Sequence, residues 1–551
     1  MSVRAKDCME NDQTIKVRRE DRPGDCGMKA DLDRGPELSK ADLGIAAAFF
    51  VAALALRIPF RSQLAYHWDS AQLALAVVHY DIRINQPHPP GFYLYIALGW
   101  LLNALVGDPH AALVWLSVLA GAWLTMVGWL LATSMFGRRC GLGTGLILLT
   151  SPLSWFHSEI ALTTIVDSAL VVTFVFACWR AVQQGATWSR IVVMAALLAA
   201  VAGVRQQSAP SLIPVWLYVL WRSARPRGYK LVSAAALLLG FSLLWFVPTV
   251  KSAGGIASYF HLLRLKSQID ASRFVWAGGG AEALASTVHC VGSACLTGLS
   301  VAGIIALTEF VCRALRGSPD NSSRKNRTQF EVLLLWLMSM LLLDMLMYVA
   351  MPGHILDFFP ALVVLTSLGL IKFTERLATS EAGRTWAFGC VLIVVITVNT
   401  VVFVWSPRWT TRLLPGLTLS GVEIRDHDTE LAACFREIRG HWPPGDVIIC
   451  HRMENWYWGF TQFAYYLPEY RNVLLPPQAA TPGTAGTRAW IGYQHKTAFE
   501  SEFKIADGEQ VVLVVPPDES IDLFQSNFDL RRAALLTNHS SLKLYVLHRR
   551  E

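Results

Sequence analysis

Leu231 to Val250 reads LVSAAALLLGFSLLWFVPTV, twenty residues without an Asp, Glu, Lys or Arg. A helix of about 20 apolar residues crosses the roughly 30 Å hydrocarbon core of a bilayer, and it satisfies its own backbone polar groups there. Pro109 to Gly137, Ala283 to Thr308 and Thr385 to Pro407 are equally free of charged side chains. Across the whole chain of 551 residues, 53% are hydrophobic and 16% charged, against about a quarter charged in ordinary soluble proteins. The composition excludes a soluble multidomain enzyme and implies a polytopic membrane protein.

Working outward from these blocks, eleven spans are expected: Leu43 to Phe60, His110 to Phe136, Gly141 to His157, Val166 to Gln183, Ile191 to Val204, Ser208 to Trp221, Leu231 to Val250, Ser286 to Cys312, Glu331 to Met351, Phe358 to Ile371 and Thr385 to Trp405. With the N-terminus inside, Arg138 and Arg139, Arg190, the cluster Arg222 to Lys230, the cluster Arg313 to Arg327, and Lys372 to Arg384 all fall in inner loops. This obeys the positive-inside rule. It accounts for a net charge of +7 without nucleic acid, which is discarded as a partner. Crossing by the apolar stretch Gly91 to Val106 would invert every later loop. That stretch is therefore laid along the outer surface, where Tyr93, Tyr95 and Trp100 suit the interface.

The expected organisation is a disordered cytoplasmic tail over 1–42, an all-α polytopic membrane domain over 43–405 with an outer loop at 61–109, and a small extracytoplasmic α/β domain over 406–551. In that last part, Asp446 to Cys450, Gln510 to Val515 and Leu542 to His548 read as strands and Thr429 to Arg439 as a helix. The first 40 residues lack the short apolar core of a secretory signal. Ten cysteines occur without a C-x-x-C, so neither a zinc ribbon nor a thioredoxin-like motif is indicated. Cys434 and Cys450 are the pair that an oxidising compartment could bring together. Asn538-His539-Ser540 fits the N-glycosylation pattern. No internal repeat is visible, which weighs against a transporter built from related halves.

The first outer loop reads Ala65-Tyr66-His67-Trp68-Asp69-Ser70-Ala71-Gln72 and, after an apolar run, His88-Pro89-Pro90-Gly91-Phe92-Tyr93-Leu94-Tyr95. Asp69 precedes the helical run Ser70 to Val78, where a carboxylate caps free N–H groups. A carboxylate fixed there can also take a proton from an attacking hydroxyl. These segments resemble the GT-C glycosyltransferases, and within them the dolichyl-phosphate-mannose-protein mannosyltransferase family. The similarity is greater to a branch with an acidic first-loop motif followed by H-P-P-G-[YF]-x-L-Y. Ser151-Pro152-Leu153-Ser154-Trp155-Phe156-His157-Ser158-Glu159 is similar to a second family segment, in which a span ends on an aromatic and an acidic residue. The resemblance covers about 43–371 in architecture, with motifs as far as Asp167.

The resemblance implies inverting transfer of a hexose from a polyprenyl-phosphate-linked donor to a hydroxyl of a protein, lipid or envelope glycan at the outer face of a plasma or inner membrane, with Asp69 as base. Relatives place a second acid one or three positions after the Asp. Here Ser70 and Gln72 stand there, so a divalent metal site would lack that carboxylate, and no metal ligands or other cofactor are assigned. His79 and Asp81 alone make no metal site. Glu159 and Asp167, at the outer ends of spans, either line a cavity and hold sugar hydroxyls or serve as a solvated turn and a helix cap.

A departing lipid phosphate needs cationic groups. Arg205 is the first choice, with His261 and Arg264 second and Lys266 beside them; an exposed basic face contacting anionic lipid is the alternative for that group. His354 and Asp357 share a short turn, His354 either binding phosphate or having no role there, and His88 is grouped with the substrate-binding residues. Asp344, inside a span, reads as an interhelical partner. The competing functions are a transporter of a lipid-linked sugar and a non-catalytic GT-C-like assembly partner.

Overall fold

In the computed structural model the described residues are 37–224, 226–271, 274–315, 327–346, 351–406, 419–451, 459–474, 505, 509–515, 532–538 and 542–547. The chain is a helical membrane bundle followed by a small mixed α/β unit. Among the described residues seven helices are long and apolar enough to cross a membrane: Lys40–Phe60, Pro109–Phe136, Thr163–Gln184, Arg227–Ser252, Val275–Cys312, Arg327–Leu346 and Glu381–Trp405. Each expected span contains helix, residues 347–350 of the ninth lying outside the described residues, but four fall short of that length or composition. These are Arg138–Thr150 with its continuation Pro152–His157, then Trp188–Val204, Ser208–Ser223 and Phe359–Leu377. Pro152 accounts for the break in the first of these, because it starts a new helix after Ser151 leaves helical geometry.

Several elements recur below. We label Lys40–Arg57 α1, Trp68–Val78 α2, Tyr93–Val106 α3 and Pro109–Phe136 α4. Helix α1 begins three residues before the expected span, and of the tail expected over 1–42 residues 1–36 lie outside the described residues. The reason is a capping box: the Asp42 N–H donates to the Ser39 hydroxyl at 3.2 Å while the Ser39 N–H donates to the Asp42 carboxylate at 2.8 Å. Arg138 holds the same carboxylate at 2.7 Å, tying α1 to the start of Arg138–Thr150.

The apolar stretch expected from Gly91 becomes helical only at Tyr93, since Gly91 (φ 109°) and Phe92 (φ 44°) both take left-handed conformations. Gly91 is a position where only glycine fits, because an added Cβ would lie 2.7 Å from the Tyr80 hydroxyl.

The C-terminal unit contains a five-stranded sheet in the order β2-β1-β3-β5-β4, with β1 Val447–His451, β2 Arg471–Leu474, β3 Gln510–Val515, β4 Ala534–Asn538 and β5 Lys543–Leu547. β1 runs parallel to β2 and β3, and β5 pairs antiparallel with β3 and β4. The helix expected over Thr429 to Arg439 extends over Gly421–His441 because Ser420 caps it earlier. Its Leu431, Cys434, Phe435 and Ile438 pack on one sheet face with Val447 and Ile449. Cys450 points to the other face with Ile448, as alternation along a strand requires. The sheet therefore separates Cys434 from Cys450, and both are free thiols. Within the glycosylation pattern Asn538-His539-Ser540, His539 and Ser540 lie outside the described residues.

Small residues let the membrane helices approach closely. At Gly369, in Phe359–Leu377, an added Cβ would stand 2.2 Å from the backbone oxygen of Ala306 on the neighbouring helix. Backbone cannot yield as a flexible side chain can. Gly369→Ala is therefore expected to lower the thermal unfolding midpoint of purified protein markedly, while Gly389→Ala, which meets nothing within 4 Å, leaves it near wild type.

Candidate active site

The loop that follows α1 builds the site around α2. His67, not Asp69, occupies the N-cap: its Nδ1 accepts the Asp69 N–H at 3.1 Å. Asp69 sits one residue inside the first turn, where its carboxylate is free to point away from the helix end. Across from it, His88 Nδ1 lies 3.4 Å from Asp69 Oδ1 and 3.1 Å from Gln72 Oε1. The amide oxygen can only accept, so Nδ1 of His88 carries the proton and donates to Gln72. The turn that delivers His88 is held by the Tyr80 hydroxyl, which donates to the Gly91 carbonyl at 2.9 Å.

The second wall comes from Ile256–Asp270, labelled α5, a helix that follows the membrane helix Arg227–Ser252. Its Lys266 ammonium lies 2.9 Å from Asp270, and both groups act electrostatically on Asp69. His261 and Arg264, by contrast, are exposed. Residues two apart on a helix do not share a face, which is why Lys266 turns toward Asp69 while Arg264 turns away.

These surroundings set the protonation states. Burial pushes the Asp69 carboxyl up to about 7, with Lys266 opposing and Asp270 reinforcing the rise. Burial, aided by Lys266 and His67, holds His88 well below the usual imidazole range, and burial brings His67 down to about 3. Both histidines are therefore neutral at pH 7, beside a carboxyl poised to gain or lose its proton there.

A second cluster lies at the ends of neighbouring membrane helices. Arg205 follows Trp188–Val204 and is buried. Gln207, with its amide oxygen turned toward the guanidinium, accepts from Nε at 3.2 Å and from Nη2 at 2.7 Å. Asp167, Asp344 and Asp357 all feel the Arg205 charge. The Ser208 hydroxyl donates to Asp167 at 2.6 Å, so Asp167 binds the helix Ser208–Ser223 instead of capping its own. Asp357 sits in the turn Pro352–Asp357, and burial, with Asp344 and Asp167 nearby, raises its carboxyl well above the usual range. Asp344 is thus placed with charged partners from other helices. His354 is half-buried in the same turn as Asp357.

The two clusters are joined by the residue after Arg205. The Gln206 amide nitrogen donates to the Pro90 carbonyl at 3.3 Å, and the Tyr259 hydroxyl of α5 donates to Gln206 Oε1 at 3.0 Å. One residue thus touches the His88-bearing turn, the Lys266-bearing helix and the Arg205 segment. Glu159 lies elsewhere. Fully buried, it faces the equally buried Arg57 of α1, and the Ser62 N–H donates to its backbone carbonyl at 2.9 Å. A Glu159 solvated in a turn is not what the structure holds, because the residue is fully buried.

Asp81 is engaged by Arg83 at 2.7 Å. Among the described residues no three His, Cys, Asp or Glu side chains converge as a metal site. Sequence reading names Lys266 only among the second-choice cations, and misses Gln72 as the His88 partner, Asp270 and Arg57. The i, i+4 spacing of Lys266 and Asp270 was the available signal for that pair; nothing local announces Arg57.

This arrangement, a carboxylate in the first turn of a short helix beside a multi-pass helical bundle that carries an appended mixed sheet, is that of an integral membrane protein. Residues 87–250 match the family model described as dolichyl-phosphate-mannose-protein mannosyltransferase. Two crystal structures of ArnT from Cupriavidus metallidurans, one bound to undecaprenyl phosphate and one in the apo state, share the fold. They are 13% and 14% identical to this chain, each covering 92% of it and 98% of the ArnT chain, with TM-scores of 0.50 and 0.52. The Archaeoglobus fulgidus oligosaccharyltransferase, solved as a complex with Zn and sulfate, is 13% identical over 86% of this chain and 67% of its own, with a TM-score of 0.45. No curated protein matches the sequence. The chain thus shares its fold with ArnT over most of its length and resembles the mannosyltransferase family model over residues 87–250.

Arg57 and Glu159 are both buried and act on each other electrostatically; removing one of two such groups strands the other and costs about 3–5 kcal/mol, whereas replacing both by apolar residues is often neutral. Arg57→Met and Glu159→Leu are each expected to lower thermal stability strongly, and the double variant to recover most of the loss. Additive destabilisation in the double variant would show that the two groups do not depend on each other.

Proposed function

We propose that the chain is a membrane glycosyltransferase that moves a hexose, with inversion, from a polyprenyl-phosphate-linked donor to an acceptor hydroxyl at the outer face, with Asp69 as the base. The observation that carries this reading is the Asp69 carboxyl, raised by burial to about 7 between the neutral His88 and the Lys266 ammonium. A base works best when its pKa lies near the working pH. The undecaprenyl phosphate bound in the ArnT structure, on a similar fold, supports a polyprenyl-phosphate leaving group.

In the proposed step the acceptor oxygen forms a bond to the anomeric carbon as its proton passes to Asp69. The bond from that carbon to the phosphate oxygen breaks on the opposite side, and its electron pair leaves with the phosphate. Lys266 is the cation best placed to receive that growing negative charge. This reassigns the role expected of Arg205, whose charge already balances Asp167, Asp344 and Asp357. His88 orients Asp69 and borders the donor; Asp167 and His354 border the acceptor side; His261 and Arg264 meet lipid headgroups outside the pocket. The base orientation requires the N-terminus to be cytoplasmic, α3 to lie along the outer surface, and the C-terminal unit to be extracytoplasmic. The membrane itself is assigned as the plasma or inner membrane.

Transfer from a polyprenyl-phosphate hexose by Asp69→Asn in correctly inserted protein is expected to fall by about 10²–10⁴-fold. Lys266→Met is expected to lose at least tenfold. Activity near wild type in Asp69→Asn would remove the base role, and movement of the intact lipid-linked sugar without hydrolysis or transfer would favour a transporter. Because the deprotonated carboxylate is the active form, the wild-type rate should fall as pH drops through about 7. A rate flat from pH 5 to 8 would contradict that assignment.

A further inference from the structure

Residues 63–66, immediately before the His67 cap, form no helix or strand, so their backbone groups must find partners elsewhere. They find them in the C-terminal unit. The Gln63 and Leu64 N–H groups donate to the two carboxylate oxygens of Asp428 at 2.7 and 3.0 Å. Next in line, the Ala65 N–H donates to the Tyr466 hydroxyl at 2.8 Å. The Tyr66 hydroxyl donates to Glu423 at 2.6 Å, and its ring lies 4.9 Å from that of His427. Four consecutive residues of the first outer loop are thus gripped by residues more than 350 positions later in the chain. The C-terminal helix Phe460–Tyr466 also packs against α2.

We propose that the C-terminal unit is a clamp on the catalytic loop, and that Asp428 is a positioning residue that sets where Asp69 stands relative to His88 and Lys266. This rests on the reading of Asp69 as base. A carboxylate accepting two successive backbone N–H groups fixes chain direction independently of side-chain identity. The fixed segment leads into the first turn of α2, where a displacement of about 1 Å can cost about 100-fold in rate. Asp428 touches no reacting atom in this scheme. Its effect passes through the backbone of residues 63–68.

The test compares full-length wild type, Asp428→Ala, Asp428→Asn and Tyr466→Phe in detergent, using a polyprenyl-phosphate hexose donor and amide hydrogen exchange at residues 63–66. In Asp428→Ala the exchange of those amides should accelerate, kcat should fall about 10–100-fold, and donor KM should change less than about threefold. The acid limb of the kcat profile should also move, because the groups facing Asp69 are His67 from its own cap, His88 from the proline turn, and Lys266 and Asp270 from α5. A loosened loop alters its distance to all of them. Asp428→Asn, which keeps a carbonyl acceptor, should lie nearer to wild type. Tyr466→Phe, which frees the Ala65 N–H alone, should show a smaller loss of the same kind even where Asp428→Ala folds poorly. Faster exchange with unchanged kcat would overturn the proposal, as would a uniform loss of active protein with an unmoved acid limb. Failure of the base reading is read separately, from wild-type transfer by Asp69→Asn.

Discussion

Hydrocarbon tolerates ionisable groups only where protein surrounds and compensates them, and that constraint organises this molecule. The helices are apolar along their length, and their charges gather where helices end. Asp69, His88 and Lys266 meet where α2, the proline turn and α5 come together, while Arg205 is set among Asp167, Asp344 and Asp357. Gln206 joins the two sets through Pro90 and Tyr259. Burial that would be costly for an isolated carboxylate here yields one whose proton is held near neutrality, which is the property a general base needs.

The site is assembled from segments that have little structure of their own. The proline turn at His88 depends on the left-handed backbone at Gly91 and Phe92 and on the Tyr80 hydroxyl bond to the Gly91 carbonyl. The approach to α2 depends on Asp428 and Tyr466. Rigid helices and the appended sheet therefore act as a frame, with His88 on a short connection held between frame members and Asp69 and Lys266 on the short helices α2 and α5. The buried Arg57 and Glu159 pair belongs to the frame: it joins α1 to the turn that passes its carbonyl to Ser62, just before the clamped segment.

What was legible in the sequence follows from which forces act locally. Helical positions could be read because spanning segments must exclude charge, and the strand Gln510–Val515 was read with its observed bounds because a short unbroken run of mostly β-branched apolar residues is a local pattern. The role of Asp69 as a cap was misread because a histidine two residues earlier does that work through Nδ1, an uncommon choice of capping group. Lys266 was grouped with Arg264 by proximity in sequence, although helical geometry points them apart. Partners such as Arg57 with Glu159, or Asp428 with residues 63 and 64, are fixed by packing between distant segments. Cys434 and Cys450 illustrate the same limit: close in sequence and plausible as a pair, they are divided by the sheet that carries one of them.

The central claim is that Asp69, His88 and Lys266 border a single pocket for a polyprenyl phosphate head. The most direct measurement is photo-crosslinking of a polyprenyl phosphate carrying a photoreactive group next to its phosphate, with the labelled residues mapped by mass spectrometry. The account predicts adducts on the turn around His88 and on α5 near Lys266, suppressed by excess unlabelled polyprenyl phosphate. Competed adducts confined to the opposite helix ends, around Arg138, Arg139 and Lys372, would contradict it.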